Sequence, residues 1–192
     1  VYQYSRGQWS QLGHDIDGEG LHDDSGTSVS LSEENGLRVA IGAPGNNGNG
    51  NSSGHVRIYE FSDNSWLQVG QDVDGEVVGD NSGQSVSLSS SGARIAIGAP
   101  FNDADGPGTL TGHVRVFDLL GGEWIQIGRD IDGPTRALSG STVALSPDGL
   151  HLAVRSQFSG GGLTITRASI FKLIDNDWQP LWENIESEAP DD

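Results

Sequence analysis

Cysteine is absent from all 192 residues, which excludes a disulfide scaffold and any thiolate-held metal, though it does not fix the compartment. Base is scarce: ten Lys and Arg stand against 27 Asp and Glu, giving a formal net charge of −17. Phosphate recognition needs a Lys/Arg surface, so nucleic-acid binding is excluded, and an anionic membrane would repel the chain. No apolar run approaches the roughly 18 residues of a membrane-spanning helix, and no charged-then-apolar leader opens the sequence. What is plentiful is glycine, with 29 residues, about twice the usual share of about 7%. It lies in turns between short apolar runs and follows no collagen period, which reads as all-β. Five acids without a base, Glu183, Glu186, Glu188, Asp191 and Asp192, predict a solvated acidic tail over residues 185 to 192.

The same text recurs along the chain. Trp9, Trp66, Trp124 and Trp178 are spaced by 57, 58 and 54 residues. The first three open WSQLGHDIDGE, WLQVGQDVDGE and WIQIGRDIDGP, and the fourth has drifted to WQPLWENIESE. A second block reads SGTSVSLSEENGLRVAIGAP, SGQSVSLSSSGARIAIGAP and SGSTVALSPDGLHLAVRSQ. A third reads GHVRIYEF, GHVRVFDL and a drifted RASIFKL. Self-similarity at this period means stacked supersecondary units, because one unit cannot bury its apolar face alone. Recurrence at one place in the unit makes the tryptophans packing residues between units rather than sugar platforms.

Within a unit the apolar residues alternate, as in half-buried strands. Turns with a glycine that tolerates positive φ lie at Glu33-Glu34-Asn35-Gly36, Ser90-Ser91-Gly92 and Ser146-Pro147-Asp148-Gly149. Each unit then holds four strands: the serine-rich one, the one ending Gly-Ala-Pro, the His-Val-Arg strand and the Trp strand. Four-stranded antiparallel sheets repeated radially are blades of a β-propeller. The expected domain is residues 1 to 184, with a partial blade at 1 to 17 and blades at about 27 to 73, 84 to 131 and 141 to 184. That makes three and a half blades, and two copies would supply seven. Uncovered edges favour pairing with another copy or segment, or an open filament. Val1-Tyr2-Gln3-Tyr4 aligns with Ile58-Tyr59-Glu60-Phe61 in mid-repeat, which reads as a piece of a longer repeat protein.

The block GDNSGQSVSLSSSGARIAIGAP followed by GHVRVF resembles the FG-GAP repeat of the integrin α-subunit propeller and its bacterial and algal relatives, across almost the whole chain. The matching elements are Gly42-Ala43-Pro44 and Gly98-Ala99-Pro100, then the strands from Gly54 and Gly112. Ser25-Gly26 and Ser82-Gly83 replace the family's aromatic-Gly pair, and the acidic calcium loop between its first two strands is shortened to SEENG, SSSG and SPDG. The family's calcium ligands are therefore not carried over. The resemblance implies an extracellular or cell-surface adhesion module.

Chemistry centres on a recurring Asp-x-Asp-Gly: Asp15 and Asp17, Asp72 and Asp74, Asp130 and Asp132. Carboxylates two residues apart before a glycine resemble the start of a Ca²⁺ loop. Glu19 and Glu76 could add ligands, and Pro134 displaces that position in the third copy. The competing reading makes the second Asp and the Gly a turn ending the Trp strand, with the first Asp facing water. Asp103 and Asp105, in the insertion FNDADGPGTLT, could hold Ca²⁺ or sugar hydroxyls; the other long insertion, GNNGNGNSS, contains Asn51, an Asn-x-Ser glycosylation acceptor. His55 and His113 are repeat equivalents, while His14, His22 and His151 show no ligand spacing, so no zinc site is expected. No Gly-x-Ser-x-Gly elbow appears. The expectation is a non-catalytic extracellular module for adhesion, protein–protein interaction or assembly, with Ca²⁺ and a glycan as accessories. Its rivals are a fragment of a polysaccharide-active enzyme, for which Asp103, Asp105, Arg136 and Arg155 would have to converge, and a lectin.

Overall fold

The computed structural model describes all residues except 35–36, 104–105, 107, 161–162, 182–184 and 187–192. A leading hairpin pairs β1 (Tyr2–Ser5) with β2 (Gln8–Gln11). Three sheets of one plan follow. Sheet I runs β3 (Ser28–Leu31), β4 (Arg38–Ala43), β5 (His55–Ser62) and β6 (Ser65–Gln68), each antiparallel to the next. A two-residue strand, β7 (Val73–Asp74), returns to the start of β5.

Sheet II repeats this with β8 (Ser85–Leu88), β9 (Arg94–Ala99), β10 (His113–Leu120), β11 (Glu123–Gln126) and β12 (Ile131–Asp132). Sheet III uses β13 (Thr142–Leu145), β14 (His151–Gly160), β15 (Leu163–Ile174), β16 (Asp177–Pro180) and β17 (Ile185–Glu186). The four-strand meander expected of each unit is present. The turns at Gly92 and Gly149 have φ of 66° and 69°, while Asn35 and Gly36 lie outside the described residues.

The strand bounds differ from expectation in two places. The Trp strand, expected to run unbroken to the Asp-x-Asp-Gly, stops at Gln11, Gln68 and Gln126, and in sheets I and II the chain resumes as β7 and β12. The break falls at Gly13, Gly70 and Gly128, all at positive φ. A Cβ on Gly70 would stand 2.7 Å from Cδ1 of Trp124, so the next unit's indole occupies the space a side chain would need. Within the stretch expected as an acidic tail, Ile185 and Glu186 pair with Ala168 and Arg167. Glu183, Glu188, Asp191 and Asp192 lie outside the described residues.

Alternation gives each sheet two packing faces. The forward face of sheet I, with Ala40, Val56, Ile58 and Val73, buries itself against Val86, Leu88, Ile95, Ile97, Phe117 and Trp124 of sheet II. The forward face of sheet II, with Ala96, Val114, Val116 and Ile131, meets Val143, Leu152, Val154 and Trp178 of sheet III. Serines lock the inner strands: the amides of Leu88 and Leu145 donate to the hydroxyls of Ser30 and Ser87 in the preceding sheet, at 3.0 and 2.9 Å. The indole N–H groups of Trp66 and Trp124 donate back to the carbonyls of Leu12 and Val69, both at 2.8 Å. Three tryptophans thus pack between units, whereas Trp9 is 69% exposed.

Candidate metal site at the sheet junctions

The first Asp of each Asp-x-Asp-Gly is held by the glutamine four residues before it. Gln11, Gln68 and Gln126 donate from Nε2 to Oδ1 of Asp15, Asp72 and Asp130 at 2.8, 2.6 and 2.7 Å. The break at the glycine makes this possible, since it turns the chain back over the end of the Trp strand. In sheets I and II the short return strand then sets the second Asp opposite a histidine: His55 pairs with Asp74 and His113 with Asp132.

At each of these junctions one histidine and two carboxylates converge. Nδ1 of His55 lies 3.9 Å from Oδ2 of Asp72 and 4.0 Å from Oε2 of Glu19. Nδ1 of His113 lies 3.9 Å from both Oδ2 of Asp130 and Oε2 of Glu76. Glu19 and Glu76 come from the preceding unit, so each cluster bridges two units. Their other oxygens face arginines, with Oε1 of Glu19 3.4 Å from Arg57 and Oε1 of Glu76 3.6 Å from Arg115. Within each triad the candidate ligand atoms lie within 4.8 Å of one another.

Electrostatics favour a neutral imidazole in the second cluster. Burial, assisted by the Arg115 charge, pushes His113 down to about 4, against the pull of Asp130 and Asp80. Burial also pushes Glu76 up, opposed by Arg115, and pushes Asp74 up, with Asp72 and Glu19 adding to it.

The remaining expected site residues are placed as follows. Asp15 bonds to Gln11 and has no histidine opposite it. Asp15 and Asp17 line a groove of about 320 Å³ with His14, Tyr59 and Trp66. Asp130 and Asp132 line one of about 620 Å³ with Arg129, Phe171, Asp177 and Trp178. At the intervening junction Gln71 bonds to the backbone of Trp124, donating to its carbonyl at 2.9 Å and accepting from its amide at 3.0 Å. Asp74 and Asp132 sit in the return strands β7 and β12 rather than in a turn ending the Trp strand. The first Asp is engaged rather than simply hydrated.

Asp103 accepts the amides of Gly108 and Leu110 through separate oxygens, both at 2.7 Å, which holds its carboxyl below the ordinary range; Asp105 lies outside the described residues. Asn51 is exposed on a turn. Arg155 donates to Ser141 and Gln157 on its own sheet, and Arg136 is exposed. Among the described residues Asp103, Arg136 and Arg155 form no ion pair with one another. The histidines are what sequence reasoning missed. Their signal was the recurrence of His and Asp 17 residues apart, at 55 and 72 and at 113 and 130.

No family model matches the chain, and no curated protein matches it. Among solved structures, that of the Dos1 propeller is similar, with a TM-score of 0.42 and 13% identity over 84% of this chain and 46% of that one. This chain therefore spans about half the length of that structure.

Proposed function

We propose that the chain is a non-catalytic, extracellular or cell-surface β-propeller module of three and a half blades, related to the FG-GAP repeats, that works in adhesion or assembly by taking up further blade strands from a protein partner. The observation that carries this reading is an uncovered packing face. Val29 and Leu31 of β3 are 63% and 50% exposed, on the same face as Val39 and Ile41. With Val1, Tyr2, Ile16 and one acid, Asp15, they line a cavity of about 480 Å³ between the leading hairpin and sheet I. At the next two junctions the matching space, over Val86 and Leu88 and over Val143, is filled by the preceding sheet, through Ala40, Val56 and Ile58 and through Ala96, Val114 and Val116. The leading hairpin has only its outer pair, so the cavity has the place and the apolar lining for an inner pair supplied in trans. Contiguous apolar surface of this kind marks an interaction site. Calcium at the Asp-x-Asp-Gly turns and a glycan on Asn51 belong to the same proposal.

Light scattering on the chain tests it. Defined oligomers, or uptake of a peptide with the sequence of residues 82 to 100, are expected, and both should be lost in a Leu31→Asp variant. A monomer that ignores the peptide would sink the proposal.

A further inference from the structure

Two carboxylates turned toward one buried imidazole, at both junctions, need an explanation. A hydrogen bond would join them, but the separations of 3.9 to 4.0 Å are too long for one. His113 has 2% of its side chain exposed, and its Nε2 has no hydrogen-bond partner. Nδ1 faces the two acids at separations that leave room for an ion among the three. We propose that Glu19–His55–Asp72 and Glu76–His113–Asp130 are two binding sites for a borderline divalent transition cation of the Zn²⁺ class, each clamping one repeat unit to the next.

The atoms are assigned alike at both sites. In each Asp, Oδ1 is taken by a glutamine amide and Oδ2 is turned to the histidine. In each Glu, Oε1 faces an arginine and Oε2 is turned to the histidine. Engaging one oxygen of a carboxylate so that the other points at a common centre is what the surroundings of a metal site do. A cation at the centre of a triangle with sides near these lengths stands about 2.3 Å from each donor, within a few tenths of an ångström of metal–ligand distances.

Donor chemistry selects the class. One imidazole nitrogen and two carboxylates leave one or more positions for water, which suits Zn²⁺ and its neighbours, whereas Ca²⁺ takes six to eight oxygens. Arg57 and Arg115 offset part of the double negative charge, which tempers affinity without removing a ligand. The third junction supplies an internal control: Pro134 stands where the glutamates are and Arg167 where the histidines are, so the site is lost there. The proposal concerns the junctions inside the chain and is independent of what covers the first sheet.

Zn²⁺ binding to the untagged chain, measured by equilibrium dialysis with metal analysis, tests this. Two equivalents are expected, and one after His55→Gln or His113→Gln. Glu76→Gln, at a half-exposed side chain, should also remove one site and spares the buried histidine should its replacement impair folding. Gln126→Ala leaves every ligand in place and should weaken its site by about 10–100-fold. Anomalous diffraction at the zinc edge should place both ions between the named atoms. Retention of zinc unchanged in His55→Gln/His113→Gln would mean adventitious binding to surface acids and would overturn the proposal, as would no retention at all. Displacement by an equal concentration of Ca²⁺ would overturn the assignment of class.

Discussion

The tetrapeptide Ser-Val-Ser-Leu occurs twice, as β3 and as β8, in the same role and with the same hydrogen-bonding neighbours on its own sheet. Val86 and Leu88 are 8% and 7% exposed, whereas Val29 and Leu31 are 63% and 50% exposed. Identical local sequence forms an identical strand, and only the presence of a preceding sheet decides whether that strand is core or surface. The lesson is the one expected of stacked repeats: much of the stabilisation lies between units.

Substitutions at matched positions measure that difference. The largest contrast is expected between Trp124→Ala and Trp9→Ala. The first removes a buried indole packed over Gly70 together with its bond to Val69, and should cost about 3–5 kcal/mol in urea unfolding; the second, at an exposed ring, should stay within about 0.5 kcal/mol. Equal losses would mean that the junction is not where stability resides. Leu88→Ala should cost about 2–5 kcal/mol and Leu31→Ala under about 1 kcal/mol. A bound partner strand pair should raise the second value toward the first, which ties this contrast to the proposed docking face.

The smallest effect concerns how two junctions are latched. Gln71 bonds to the backbone of Trp124, while Arg129 pairs with the Asp177 carboxylate at 2.7 Å. The Arg129 hydrogen bond holds Asp177 below the ordinary carboxylate value of 3.8. Near that pH the unfolded chain therefore binds more protons than the folded one, so the contribution is present above it and fades as pH falls. Arg129 is exposed, so salt screens the pair and the effect is small. Arg129→Gln should lower the unfolding midpoint slightly at pH 7 and by less at pH 3; a difference that stays undiminished at pH 3 would assign the latch to packing.

Much of this architecture was legible because it is local. The Trp period, the glycine turns and the alternation in SVSL and HVRIYEF lie within single units and specify the meander directly. The break in the Trp strand was not, since the demand for glycine at position 70 comes from Trp124 in the next unit. The same holds for the cluster. Asp72 and Asp130 stand out as repeated acids, but the partners that give them a chemical context come from another strand and from another unit. His55 lies 36 residues from Glu19 and 17 from Asp72, beyond any contiguous ligand motif. Asp103 was misleading for the opposite reason: its acidic run resembles a ligand loop, while its own amides consume both oxygens.

The indole bond has a further consequence, for symmetry. Each unit's tryptophan reaches back to a glycine notch in the unit before it, and never forward, so the array is polar, with a knob at one end and a notch at the other. Contact through such unlike surfaces is heterologous: it propagates head to tail and has no twofold-related form. At the notch position the fourth copy of the motif carries Trp182 in place of glycine. Trp9, 69% exposed, is the knob of the series that meets none of the glycine notches at Gly13, Gly70 and Gly128.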